Sequence, residues 1–403
     1  MPDSTAQPPT TYRRIPSAVW ALGFVSLFMD VSSELIHALL PLFLVDRLGA
    51  TLLTVGLIEG VAEATAGITK VFSGALSDWF GRRKLLAVLG YGLGALSKPL
   101  FPLAGSAGLV LAARFVDRVG KGIRGAPRDA LVADVTPADL RGAAYGLRQA
   151  LDSVGAFLGP LFAVLLMAVY ADHIRAVLWW AVLPGAISVC LIVFAVREPA
   201  PAGRPRRGAP LRRADLAALP RGYWITVLIG VLFTFARFSE GFLVLKGQQA
   251  GLALTLVPLV LVAMNLVYAA ASTPVGALSD RLGRSGLLAG GMLVLAAADV
   301  VLAAIPGLAG LFAGVALWGL HMALSQGLLA AMVADAAPAS LRGTAFGVFN
   351  LATGIVLLLA SLLAGALWQA AGPGATFAAG AGFAAAATVV LLALSPQRRA
   401  PKP

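Results

Sequence analysis

Long apolar stretches recur along this chain, separated by short polar ones that hold Arg, Lys, Asp or Pro. A bilayer core is crossed by about 20 apolar helical residues. On that rule the pattern predicts twelve spans, at 18–45, 52–76, 85–103, 108–129, 143–168, 176–196, 222–245, 252–275, 286–304, 309–334, 343–369 and 375–395. The rhythm fails in three places. Residues 1–17 begin polar and Pro-rich and are expected to be disordered. Residues 197–221 hold Pro199, Pro201, Pro205, Pro210 and a run of arginines, which marks a solvated linker. Residues 396–403 form a short basic tail. The domains expected are therefore a six-helix bundle at 18–196, the linker, and a second bundle at 222–395.

Composition agrees. The chain is 59% hydrophobic and 12% charged, against roughly 25% charged in soluble proteins. The first apolar stretch is too long for a cleaved signal peptide, whose core is about 7–15 residues. One cysteine, Cys190, excludes an intrachain disulfide. The net charge of +12 does not point to nucleic acid, because the basic residues concentrate in loops on one side. With the N-terminus inside, nineteen Lys and Arg fall in inner segments and only Arg47, Arg175 and Lys246 in outer loops. The positive-inside rule then places both termini in the cytoplasm. Most tryptophans, Trp20, Trp79, Trp179, Trp180, Trp224 and Trp368, fall near span ends, as an aromatic belt would have them.

The chain repeats itself. Gly74-Ala-Leu-Ser-Asp78 recurs word for word as Gly276-Ala-Leu-Ser-Asp280, and Asp134 to Gly146 recurs in outline as Asp335 to Gly347. Two matched pairs at half the chain length indicate duplication.

Gly74-x-Leu76-x-Asp78-x-x-Gly81-Arg82-Arg83 resembles the signature loop between helices 2 and 3 of major facilitator transporters, and the second copy carries Asp280 and Arg284 in the matching places. Arg118-x-x-Lys121-Gly122-x-x-Gly125-Ala126 is similar to that superfamily's helix-4 motif, with Lys where Gln is usual. Gly155-x-x-x-Gly159-Pro160 is similar to its helix-5 antiporter motif, although G-x-x-x-G also serves plain helix packing. Asp30-x-Ser32-Ser33-Glu34 together with the run from Asp117 to Asp129 resembles a subgroup of bacterial efflux permeases, some linked to nickel. The resemblance implies an all-α membrane fold of two pseudo-symmetric six-helix bundles around a central cavity. It implies that helices 1, 2, 4 and 5 line the first half's share of that cavity, with 3, 6, 9 and 12 outside. Arg82 or Arg83 is expected to pair with Asp134, and Arg284 with Asp335, as latches on the cytoplasmic face; Arg141 and Arg342 complete that set. The plainer reading of these loop cations is orientation and folding alone.

Charge inside spans costs about 2.5–3.5 kcal/mol per residue on insertion scales, and its distribution is lopsided. The first half carries Lys70, Lys98, Arg114, Arg118, Lys121, Arg124, Arg128 and Arg148 with Asp30, Glu34, Glu59, Glu63, Asp117, Asp129 and Asp152; the second has only Arg237, Glu240 and Asp299. Helical spacing puts Asp30, Glu34 and His37 on one face of helix 1 and Glu59, Glu63 and Lys70 on one face of helix 2. Protonatable groups beside cations can exchange protons as access alternates, so Asp30, Glu34, His37, Glu59 and Glu63 are the candidate proton-coupling residues. Lys98, Arg118, Lys121, Arg124, Arg148 and Asp152 are the candidate substrate contacts, because guanidinium and ammonium groups suit carboxylate or phosphate oxygens. A purely structural stripe on helix 4, neutralised by the acids of helices 1 and 2, is the competing reading. His321 alone reads as a structural contact.

No metal-ligand cluster, phosphate loop or hydrolase elbow is legible, so neither metal, cofactor nor enzymatic activity is expected. The expectation is a monomeric, proton-driven exporter of a small anionic or zwitterionic molecule in a bacterial inner membrane. Its alternatives are export of cationic drugs or of a divalent metal such as nickel, an uptake symporter and, last, a non-transporting sensor. The partners expected are substrate, protons and lipid.

Overall fold

The computed structural model describes residues 14–80, 82–137, 140–197, 216–282, 284–325, 328–338 and 341–394, without the side chains at 74–80, 273, 276–282, 284 and 343. The described chain is mostly helical and crosses the bilayer twelve times. The first bundle comprises α1 (Ser17–Arg47), α2 (Leu52–Phe80), α3 (Arg83–Leu103), α4 (Ala107–Val135), α5 (Arg141–Val169) and α6 (Ile174–Phe194). The second comprises α7 (Arg221–Gln249), α8 (Leu259–Leu282), α9 (Arg284–Ala304), α10 (Gly307–Ser325, continued by Leu328–Ala336), α11 (Arg342–Ala371) and α12 (Pro373–Leu394). Eleven of the spans are apolar enough to cross a membrane by composition alone. The twelfth, α4, is long enough but carries Arg114, Asp117, Arg118, Lys121, Arg124, Arg128, Asp129 and Asp134.

α4 keeps its charges in the bilayer because glycines let it lie directly on its neighbours. A Cβ on Gly120 would stand 2.6 Å from the Gly90 carbonyl of α3, and one on Gly122 would stand 2.5 Å from Thr69 of α2. Close approach brings the basic stripe among acids from other helices. The helix runs six residues past its expected end and accommodates Pro127 in its interior.

The halves meet along three seams: α2 on α11, α5 on α8, and α1 on the last part of α7. The α2–α11 seam is backbone on backbone. Cβ atoms on Gly56, Gly60 and Gly365 would lie 2.2 Å from the Ser361 carbonyl, 2.9 Å from Leu358 and 2.5 Å from the Leu52 carbonyl. One end of the molecule is closed across the halves. Gln248 donates to Asp46 at 2.9 Å, Thr255 donates to Asp172 at 2.6 Å, and an apolar cluster including Leu39, Phe43, Val55, Phe238, Phe242 and Trp368 fills the space beneath.

α7 is broken. Its helices Arg221–Ala236 and Gly241–Gln249 leave Arg237 to Glu240 as an unwound link in mid-membrane, where irregular backbone occurs only if it is buried in protein or lines a cavity. The sequence pattern predicts one continuous span there.

Candidate functional site

A cavity of about 780 Å³ lies between the halves, on the far side of the closed end. Its walls come from α1, α2, α4 and α5 of one half and α7, α8, α10 and α11 of the other. Among the described residues α3, α6, α9 and α12 contribute nothing to it and instead present Leu96, Phe194, Val300 and Leu392 outward.

Asp30, Glu34, Glu63 and Asp152 are the wall's carboxylates; Lys70, Lys121, Arg124, Arg128 and Arg237 are its cations. Glu34 contacts His37 Nδ1 at 3.2 Å, one turn along α1. The other ring nitrogen, Nε2, lies 3.6 Å from Glu59. Glu59 is 1% exposed and stands behind the wall. It accepts from Arg114 at 3.1 and 3.3 Å and from Ser239 of the α7 break at 3.1 Å. The candidate proton-coupling residues thus divide. Asp30, Glu34 and Glu63 reach the cavity, whereas His37 and Glu59 form a buried line from it to the second half.

The candidate substrate contacts divide too. Lys121, Arg124 and Asp152 face the cavity. Arg124 stands 4.0 Å from Asp30 with its guanidinium over the Tyr91 ring, 5.0 Å from the centroid. Lys98, Arg118 and Arg148 are not on the wall. Lys98 is 1% exposed and donates to Asp117 at 2.7 Å and to Ser33 at 2.9 Å. Arg118 lies 3.3 Å from Glu63 and 3.7 Å from Asp117. Arg148 donates to Asp152 at 2.7 Å and stands 3.7 Å from Asp129. Arg128 joins this last group through Asp129 at 3.1 Å, Asp152 at 3.6 Å and Ser26 at 2.7 Å. Burying a charge needs a partner in good geometry, and α4 obtains its partners from α1, α2, α3 and α5.

Lys70 and Arg237 were absent from the candidate contacts, and the structure puts both on the wall. For Arg237 the available signal was its isolation: it is the second half's only basic residue deep inside a span.

The helix-5 glycines pack α5 onto α1 beside the acids. A Cβ on Gly155 would meet the Leu27 carbonyl at 2.7 Å and Asp30 at 3.0 Å, and one on Gly159 would meet Glu34 Cβ at 2.7 Å. Pro160 follows, buried within the helix. Among the loop residues, Arg83 is bonded to Asp134 and also donates to the Ala130 carbonyl at 3.1 Å. Arg82 is exposed, Arg141 opens α5, and Arg342 donates to the Ala334 carbonyl at 3.1 Å. Gly74 lies in α2, and Asp335 lies near the end of α10. Gly81 and the side chains of Asp78, Asp280 and Arg284 lie outside the described residues, so the expected Arg284–Asp335 pair does too. The interior of the linker, 198–215, is likewise outside them. Among the described residues no group of His, Cys, Asp and Glu could hold a metal ion.

Two six-helix bundles that close at one end over a charged cavity form the body of a membrane transporter, not of an enzyme. The chain belongs to the major facilitator superfamily, whose family profile matches residues 22–264 and 226–403. It is 32% identical over 387 residues to an uncharacterised MFS-type transporter of Methanocaldococcus jannaschii, covering 94% of this chain and 95% of that one. It is 30% identical over 140 residues to the multidrug resistance protein MdtH of Yersinia pestis, 35% of either chain. Its fold is similar to that of a POT family transporter solved in complex with 5-aminolevulinic acid, at a TM-score of 0.80 and 12% identity, covering 94% of this chain and 96% of that one.

Proposed function

We propose that this protein is a proton-coupled exporter of a small anionic or zwitterionic molecule, acting as a monomer by alternating access in a bacterial inner membrane. The observation that carries the proposal is the mixed wall. Asp30, Glu34 and Glu63 share one cavity with Lys121 and Arg124, so proton and anion can occupy the site in alternation. A proton on a wall carboxylate frees positive charge for an anion, and its release returns the carboxylate as a competitor. The proton gradient is the energy source, with no cofactor.

Orientation follows from charge. With both termini and the basic loops in the cytoplasm, the closed end with Asp46, Asp172 and Gln248 is the outer one. The cavity then faces inward, poised to load cytoplasmic substrate. Export also fits the alignment with part of a multidrug resistance protein. That same alignment favours a second reading, export of cationic drugs drawn by the wall's carboxylates.

The test is everted vesicles with a pH-sensitive dye and a substrate panel. Addition of an exported anion should dissipate an imposed proton gradient. Glu34→Gln and Glu63→Gln should abolish that response while the protein remains folded. Full gradient-driven activity in both variants would overturn the coupling, and activity confined to organic cations would establish the second reading.

A further inference from the structure

The cavity wall is not balanced charge for charge. Each wall carboxylate already has a basic partner in its own half. Asp30 has Arg124 at 4.0 Å, Glu34 has His37 at 3.2 Å, Glu63 has Arg118 at 3.3 Å, and Asp152 has Arg148 at 2.7 Å. Arg118, His37 and Arg148 stand behind the wall, so the wall's acids are largely consumed from the rear.

Three wall cations are left over. Lys70 of α2, Lys121 of α4 and Arg237 of the α7 break line the cavity, and among the described residues none of them has a carboxylate oxygen within 4.0 Å. Lys121 is within Coulombic range of Asp30, Glu34 and Glu63, and Arg237 of Glu63 and Glu240, but only at longer distance. Arg237 lies instead over the Phe233 ring, 5.6 Å from its centroid. Unpaired charge at membrane depth is sustained only where water or a ligand compensates it.

We propose that the cavity binds an anion carrying two or more negative charges, held between Lys70 and Lys121 of the first half and Arg237 of the second. The proposal rests on the transport reading and narrows its substrate class. A monoanion leaves most of this charge uncompensated, and an organic cation meets it head on. A polycarboxylate or a phosphate monoester supplies charge at more than one point, and about 780 Å³ accommodates either. Arg237 offers a planar fork suited to two oxygens, while the lysines act as movable point charges. Among the described residues Arg237 is also the second half's only charged wall residue, so such a ligand ties the halves together through that one side chain.

The test measures binding without any gradient, so it stands apart from proton coupling. The full chain in nanodiscs of phosphatidylcholine is titrated with citrate, succinate, glucose 6-phosphate, acetate and tetraphenylphosphonium, reading thermal stabilisation and calorimetric affinity. A multivalent anion should stabilise the protein where acetate and tetraphenylphosphonium do not. Citrate against glucose 6-phosphate separates carboxylate from phosphate chemistry. Arg237→Gln and Lys121→Gln should each weaken binding about tenfold or more. Arg237→Lys should recover part of the loss, and Arg47→Gln, outside the cavity, should change nothing. Stabilisation by tetraphenylphosphonium alone, stabilisation by none of the three multivalent anions, or unchanged affinity in folded Arg237→Gln would overturn the proposal. Binding of citrate by a protein that moves no protons would leave it standing and refute the coupling.

Discussion

Ser239 donates a hydrogen bond to Glu59 at 3.1 Å, and the two residues belong to different halves of the molecule. Glu59 also neutralises Arg114 within its own half. One carboxylate therefore performs two tasks of very different weight. Ser239→Ala should cost about 1 kcal/mol, whereas Glu59→Gln leaves Arg114 buried without its counter-charge and should cost about 3–5 kcal/mol. Thermal unfolding of the two variants checks this ratio. Ser239→Ala should also loosen the closed end, read as slower disulfide cross-linking between cysteines placed at Asp46 and Gln248. Equal stability losses would show that Glu59 does not carry Arg114.

Lys98 and Asp117 form a pair with almost no exposure, and neither reaches the cavity. Asp117→Asn should destabilise the fold by about 3–5 kcal/mol, while the double apolar replacement Lys98→Met with Asp117→Leu should recover much of that. Recovery of stability together with transport marks the pair as structural. Recovered stability without transport would assign Lys98 a part in the transport cycle.

Gly159 stands where α5 presses on Glu34. Even Gly159→Ala puts a carbon 2.7 Å from Glu34 Cβ and 2.9 Å from the Leu35 amide nitrogen. Overpacking of this kind costs about 1–3 kcal/mol, and the shift displaces a proposed proton carrier. The variant should alter the pH profile of transport as well as stability. Gly146→Ala, on the same helix with open space around it, is the control and should alter neither.

Arg83 and Asp134 join the start of α3 to the end of α4. Asp134→Asn should lower transport turnover more than it lowers thermal stability if this pair works as a latch during the cycle. The exchanged pair Arg83→Asp with Asp134→Arg should then regain part of the turnover. A stability loss matching the turnover loss would reduce the pair to a structural tie.

Much of the architecture was legible because apolar length, doubled motifs and loop charge each leave a one-dimensional trace. The helical faces were legible as well: Glu34 and His37 are one turn apart and in contact. Pairing between helices was not. Lys98 and Arg148 read alike as in-span cations, and only three-dimensional packing gives Lys98 to Asp117 and Arg148 to Asp152. The α7 break escaped for a different reason. Its residues Arg237, Phe238, Ser239 and Glu240 interrupt the helix without a proline, and the bonds that stabilise the unwound link, such as Ser239 to Glu59, come from a segment 180 residues away.

The glycine seam between α2 and α11 has a mechanical consequence. Interlocked side chains behave as gear teeth and hold helices at preferred angles. Where Gly56, Gly60 and Gly365 bring main chain against main chain, the teeth have been filed away. The joint resembles a bearing: main chain against main chain leaves few side chains to fix the angle between the halves, so in the proposed transport cycle that angle falls to the charges in the cavity between them.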